Sequence, residues 1–85
     1  MAHLIFSKNG YEALVAELGR VPPVLWLNPE VLSQAELAAL HAEGVDVSWF
    51  SEAIDPEDPE AVGEAVATIC EHHPGHAVWV QHGEA

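Results

Sequence analysis

The sequence predicts a single α/β domain with a four-stranded, mainly parallel sheet and helices on both faces. Three observations support this prediction: four short apolar segments, three intervening segments with helical periodicity, and a length of 85 residues, which fits one domain. Helical connections between successive strands favour parallel pairing and right-handed crossovers. The predicted element order is therefore β-α-β-α-β-α-β across residues 1–85.

The first strand and the first helix are predicted within the first twenty residues. Residues 2–6 form a short apolar run that is typical of a buried strand. Asn9 is the expected N-cap of the helix, because Glu12 stands three residues later and can reach back to it. Gly19 suits the left-handed position that ends a helix.

The second strand and the second helix have clear boundaries. Residues 24–27 are entirely apolar, which suits a central strand of a parallel sheet. Pro29 is expected to begin a short helical turn. Ser33 and Glu36 have the spacing of a capping box at the start of the next helix, and Gly44 marks its end.

The second half of the chain predicts two more strands and a third helix. Residues 45–50 are partly alternating and partly continuous in polarity, so part of this strand is expected to be exposed. Asp58 is expected to cap the helix, with Pro59 at its first position. The fourth strand covers residues 77–80, after a Pro-Gly break. The apolar stripe of the helix consists of Val62, Ala65, Val66, Ile69 and Cys70.

This order of elements resembles doubly wound folds in general, a likeness of architecture and not of function. The expected strand order is 2-1-3-4. Three short helices cover four strands thinly, and both sheet edges need protection. Homodimerisation through an edge or an uncovered face would provide that protection.

The charge composition limits the possible partners. The chain has two basic residues (Lys or Arg) and fourteen acidic residues (Asp or Glu), which give a formal net charge of −12. Phosphate binding requires clusters of Lys and Arg, so neither nucleic acid nor an anionic membrane surface is an expected partner. The apolar runs are far shorter than the roughly 20 residues that span a bilayer, and no signal peptide is recognised. The single cysteine fits a reducing compartment, so a cytoplasmic location is expected.

Polar residues follow each predicted strand. Ligands of parallel α/β sheets bind at this carboxyl edge. Lys8 lies beside the predicted N-terminus of the first helix, where free backbone N–H groups can bind a small anion. The alternative is that these residues only end strands and cap helices. The candidate ligand-binding residues are Ser7, Lys8, Asn9, Gly10, Asn28, Ser51, Gln81 and His82.

The three tryptophans stand at matching depth in three strands. Trp26, Trp49 and Trp79 are therefore expected to share a face of the sheet, with at least two of them in the core. The alternative is an apolar contact surface for a partner, because tryptophan is common among interface anchors.

Metal binding and catalysis have weaker support. The weak metal candidates are Cys70, His73, His76 and His82, but the chain lacks a paired zinc motif, and the helix dipole explains the histidines in the last turn. No metal and no cofactor is therefore predicted. A nucleophile–base pair would need Ser7 or Ser51 with His82, and no nucleophile elbow is present, so a non-enzyme is predicted.

An acidic segment without Lys or Arg is the candidate partner surface. It consists of Glu52, Asp55, Glu57, Asp58, Glu60 and Glu64. The segment suggests either recognition of a basic protein or solubility alone.

The sequence supports three functions, in descending order. The first is a non-catalytic accessory or protein-interaction module that forms a homodimer. The second is a small-molecule or anion-binding domain that uses the strand ends around residues 7–10. The third is a minimal hydrolase or a metal-binding protein.

Overall fold

In the computed structural model, residues 1–81 are described as four strands and three helices in strict alternation. The strands are β1 (Ala2–Ile5), β2 (Val24–Leu27), β3 (Asp46–Trp49) and β4 (Val78–Val80). The helices are α1 (Lys8–Leu18), α2 (Gln34–Ala42) and α3 (Pro59–His72). The predicted order of elements is confirmed.

All four strands belong to one parallel sheet with the order β3-β2-β1-β4. The predicted parallel α/β architecture is therefore confirmed, but the expected order 2-1-3-4 is wrong, because β3 pairs with β2 and not with β1. The composition of the strands explains the difference. Strand β2 is apolar throughout and suits the interior of a sheet, whereas β3 contains Asp46 and Ser48 and tolerates an edge.

Helices cover both faces of the sheet, as predicted. On the side that we call the front face, Leu14 of α1 and Leu40 of α2 join a core with Ile5 and Leu27 of the sheet. On the opposite side, the back face, the core includes Ile69 of α3 and residues of β1 and β2. The arrangement follows from the topology. Helices α1 and α2 connect strands in one direction across the sheet, from β1 to β3, whereas α3 returns in the opposite direction to β4. Right-handed crossovers therefore place α3 on the other face.

Side-chain caps set the starts of the helices. The expected cap Asn9 is wrong: α1 begins at Lys8, and Ser7 caps it by accepting a hydrogen bond at Oγ from the Gly10 N–H over 3.0 Å. Ser7 takes this place because it is the last residue with an extended backbone before the helix. The predicted capping box of α2 and the predicted Asp58 cap of α3, with proline at its first position, are confirmed.

Two local expectations differ from the structure. The segment after Pro29 forms a tight turn and not a helical one, with the Val31 N–H 3.4 Å from the Asn28 carbonyl oxygen. Cys70 is exposed and does not belong to the apolar stripe of α3. It directly follows the buried Ile69, and one residue along a helix turns a side chain by about 100°.

No helix within residues 1–81 has the length and apolar character needed to cross a membrane.

Candidate functional site

Three of the predicted ligand residues come together where β1 and β4 end. The Gln81 carboxamide accepts a hydrogen bond at Oε1 from the Phe6 N–H over 2.8 Å. Its Nε2 donates to the Ser7 Oγ over 3.2 Å. Gly10 packs against the same carboxamide so closely that an added Cβ would overlap it. The Gln81 side chain thus fills the crevice between these two strands.

This crevice lies at the switch point of the topology. From β1 the chain continues to β2 and β3 on one side, whereas β4 pairs with β1 on the other side. Ligands of open α/β sheets commonly bind at such a point. Here the polar atoms of Gln81 and Ser7 are engaged with each other and with backbone, which favours the structural interpretation of these residues.

Among residues 1–81, the remaining predicted ligand residues take no part in the contacts of Gln81. Lys8 forms an ion pair with Glu36, with 3.1 Å between Nζ and Oε2. Asn9 and Ser51 are exposed. His82 lies outside the described residues. Within the described part of the chain, the strand ends therefore do not combine Lys8, Asn9 and Ser51 with the Gln81 contacts into one polar site.

Asn28 connects the loop that follows β2 to the loop that follows β3. It is only 7% exposed, its Nδ2 donates to the Ile54 carbonyl oxygen over 2.9 Å, and its Oδ1 accepts from the Ile54 N–H over 2.8 Å. A carboxamide can satisfy a backbone donor and a backbone acceptor at once, which explains why asparagine suits this position.

A cleft of about 840 Å³ opens beside α2 at the carboxyl ends of β2 and β3. We call it the α2 cleft. Of the predicted ligand residues within 1–81, Lys8 and Asn28 line it. No sequence motif marked this cleft, because it is formed by the packing of α2 and of the turn before it. Its apolar lining includes Leu27, Val31, Leu32, Leu37 and Trp49, and its polar lining includes Lys8, Glu30, Ser33, Glu36 and His41.

Electrostatic contacts hold the polar rim of the α2 cleft. Hydrogen bonding from the Ser33 backbone, followed by that from Lys8, holds the pKa of Glu36 below its usual value. Tyr11 does not line the cleft; burial raises the pKa of Tyr11, and the carboxylates of Glu36 and Glu43 add to this effect. Because the Lys8 ammonium group is paired with the Glu36 carboxylate, Lys8 contributes little uncompensated positive charge to the cleft.

The tryptophans do not share one face, and the expectation that at least two lie in the core is wrong. Trp26 is 6% exposed and packs in the back-face core, whereas Trp49 and Trp79 are 50% and 36% exposed. The register explains this separation. Trp26 pairs with Ser48, so Trp49 is offset by one residue, and a one-residue offset turns a side chain to the opposite face.

Trp79 stacks against His3 at the β4 edge. Their ring centroids are 5.5 Å apart, with the planes inclined by 42°. The His3 Nδ1 is buried and has no hydrogen-bond partner within residues 1–81. Burial, followed by the charge of the N-terminal ammonium group, lowers the pKa of His3.

The weak metal candidates do not form a site in the described part of the chain. Within residues 1–81, no group of three or more His, Cys, Asp or Glu is placed to hold a metal ion. The rings of His73 and His76 lie 5.7 Å apart, while Cys70 is exposed. His82 again lies outside the described residues.

All six residues of the candidate acidic partner surface are exposed. Two of them also have local roles. The Asp55 carboxylate accepts a hydrogen bond from the Glu57 N–H over 2.9 Å, and Asp58 accepts from the Glu60 N–H over 3.1 Å. Loop and cap formation thus account for Asp55 and Asp58 without a partner.

Comparisons of the chain with models of protein families, with curated proteins and with solved structures found no match. Any function must therefore be inferred from the contacts, exposure and charge of the chain itself.

Proposed function

We propose that this protein is a non-catalytic cytoplasmic interaction module that self-associates into a homodimer through the outer edge of β4. The observation that carries the proposal is an edge strand that contains neither a charged residue nor proline. Strand β4 is the last in the sheet order, consists of Val78, Trp79 and Val80, and leaves its central indole 36% exposed.

An edge strand offers unpaired backbone N–H and C=O groups to another chain. Natural proteins guard such edges with charged residues, proline or bulges. Strand β4 contains no charged residue and no proline. The opposite edge strand, β3, begins with the exposed Asp46 and is better guarded. This contrast favours β4 as the contact between two subunits.

Trp79 gives this contact an apolar anchor. Tryptophan combines a large apolar surface with a polar N–H group and is common among the residues that dominate interface energies. In a two-fold dimer the same surface of each copy meets itself. Antiparallel pairing of two β4 strands about an axis through Trp79 would place the two indoles directly opposite each other on the front face.

The charge distribution is compatible with this pairing. Strands β1 and β4 contain no Asp or Glu, whereas the acidic surface lies on the loop before α3 and on α3 itself. Two copies with a formal charge of −12 each still repel each other over longer distances. Added salt should therefore strengthen the dimer, because it screens this repulsion.

The non-catalytic part of the proposal is supported by the state of the hydroxyl groups. The Ser7 Oγ is engaged with the Gly10 N–H and the Gln81 carboxamide. Ser51 is exposed on a loop and does not line the α2 cleft. Within residues 1–81, neither serine has a general base among its hydrogen-bond partners.

Sedimentation equilibrium tests the proposal. The expected mass is twice the 9.2 kDa of the chain, with a dissociation constant that falls as salt is added. Trp79→Asp should return the mass to 9.2 kDa, because it places two carboxylates opposite each other. A wild-type mass of 9.2 kDa from micromolar to millimolar protein would contradict the proposal.

A further inference from the structure

The α2 cleft has the size of a ligand site. Ligand binding there would be a function separate from the proposed dimerisation. Its volume of about 840 Å³ falls within the range of roughly 300 to 1,000 Å³ that is usual for small-molecule pockets. Buried Leu27, Val31 and Leu32 contribute an apolar lining, and polar side chains from three segments surround them. This combination of an apolar lining with a few polar groups is typical of small-molecule sites.

Trp49 supplies an open aromatic surface to this cleft. It stands at the end of the edge strand β3, it is 50% exposed, and it belongs to neither core cluster of the described residues. Its indole therefore contributes little to the core. An exposed indole beside a cavity can stack on an aromatic ring or hold a cation over its face.

Glu30 is held in an unusual backbone conformation at the same cleft. Its φ is 68°, and within residues 1–81 it is the only non-glycine residue with positive φ. Residues 28–31 have the pattern of a turn with proline second, in which glycine or asparagine is preferred at the third position. Such strain often accompanies functional sites. Here it places a carboxylate at the cleft where glycine would relieve the strain.

The charges of the cleft select the sign of the ligand. Its charged side chains are Lys8, Glu30 and Glu36, and Lys8 is paired with Glu36 at 3.1 Å. The Glu30 carboxylate has no hydrogen-bond or ion-pair partner among the described residues, and the whole chain is strongly negative. The potential in the cleft thus favours a cation over an anion.

We propose that the α2 cleft binds a small aromatic amine, with the ring on Trp49 and the ammonium group facing the carboxylate of Glu30. The class follows from an exposed indole, an apolar lining and one uncompensated negative charge. An anionic ligand would meet the Glu30 carboxylate, and the Lys8 ammonium group is already paired with Glu36.

Three probes that share one ring and differ in charge test this proposal: tryptamine, indole and indole-3-acetate. Each is titrated into ¹⁵N-labelled protein, and the amide shifts are followed. We expect saturable shifts at residues 30 and 49 with tryptamine, and about tenfold weaker binding of indole-3-acetate. Indole should bind with intermediate affinity. The absence of saturable shifts for all three probes, or tighter binding of the anion, would overturn the proposal.

Two variants separate the ring from the charge. Trp49→Ala should weaken tryptamine and indole alike, by about tenfold. Glu30→Gln should weaken tryptamine several-fold and leave indole unchanged, because only the amine uses the carboxylate. Glu17→Gln, an equal charge change on the exposed side of α1, is the control. Equal losses of tryptamine in the two glutamate variants would show a general charge effect and overturn the assigned site.

Discussion

The two edge strands each present a partly exposed tryptophan on the front face, but their surroundings differ. Beside Trp49 of β3, helix α2 and the turn before it form walls around a cleft of about 840 Å³. Trp79 of β4 does not line this cleft; it stacks on the His3 ring and is 36% exposed. The same residue type thus lies in a concave site at one edge and on an open edge at the other.

The difference follows from how three helices cover four strands. Helices α1 and α2 cover the front face from β3 to β1, and α3 covers the back face, so the front side of β4 has no helix of its own among residues 1–81. A concave apolar surface suits a small molecule, whereas an exposed edge suits another chain. The topology thus gives the two edges different surroundings, and the two binding roles proposed above follow this difference.

Near the carboxyl end of each edge strand, one carboxamide adds side-chain hydrogen bonds to the backbone pairing: Asn28 near β3 and Gln81 at β4. Removing the two hydrogen bonds between the Asn28 side chain and the Ile54 backbone should give the largest loss of stability. Asn28→Ala leaves the Ile54 N–H and carbonyl group without partners, at a cost of about 2 to 3 kcal/mol in the free energy of unfolding. Urea denaturation measures this loss. The exposed Ser51→Ala should change little, and an equally small effect of Asn28→Ala would show that the Asn28 bonds do not stabilise the loops.

A substitution of Gly10 tests the close packing of the Gln81 carboxamide at the end of β4. Gly10→Ala should cost about 2 kcal/mol by overlap with the Gln81 carboxamide, although alanine is the better helix former. In the double variant Gly10→Ala with Gln81→Ala the overlap disappears. The double variant should therefore lose less stability than the sum of the two single variants. Additive losses would contradict the close packing between these residues.

The partly buried His3, which stacks on Trp79 of β4, should make the free energy of unfolding depend on pH. Because the pKa of His3 is lowered in the folded protein, the unfolded chain binds the proton first as the pH falls through 6.5. Stability is therefore complete above this pH and decreases below it. His3→Phe should show a smaller decrease, since the other histidines are common to both proteins. Equal pH profiles of the unfolding free energy in urea would contradict this role.

The strained turn at the α2 cleft should give the smallest effect. Glu30→Gly removes the cost of a left-handed glutamate but makes the unfolded chain more flexible, so the expected gain is at most about 1 kcal/mol. Thermal unfolding measures it. A clear loss of stability would show that the Glu30 side chain stabilises the fold, and that its backbone is not retained for binding.

Local signals in the sequence were sufficient to predict much of the fold. The capping box of Ser33 and Glu36 and the Asp58–Pro59 start of α3 depend on residues only a few positions apart, and both are confirmed. The strand order was missed although a signal existed. The polar residues of β3 and the apolar sequence of β2 indicate which strand lies at the edge.

The features that depend on distant contacts were not predictable in the same way. The Gln81 carboxamide bonds to Phe6 and Ser7, which lie 75 and 74 positions earlier in the chain. The faces of the tryptophans depend on strand register, which neighbouring residues do not set. The α2 cleft likewise results from packing between segments, so neither Trp49 nor Glu30 was recognised as a candidate for ligand binding.

A comparison of two variants tests whether the two edges of the sheet differ in function. Trp79→Asp and Trp49→Asp introduce the same charge at opposite edges, and sedimentation equilibrium reports the mass of each variant. The account predicts 9.2 kDa for Trp79→Asp and twice that mass for Trp49→Asp. A monomeric Trp49→Asp protein together with a dimeric Trp79→Asp protein would contradict it.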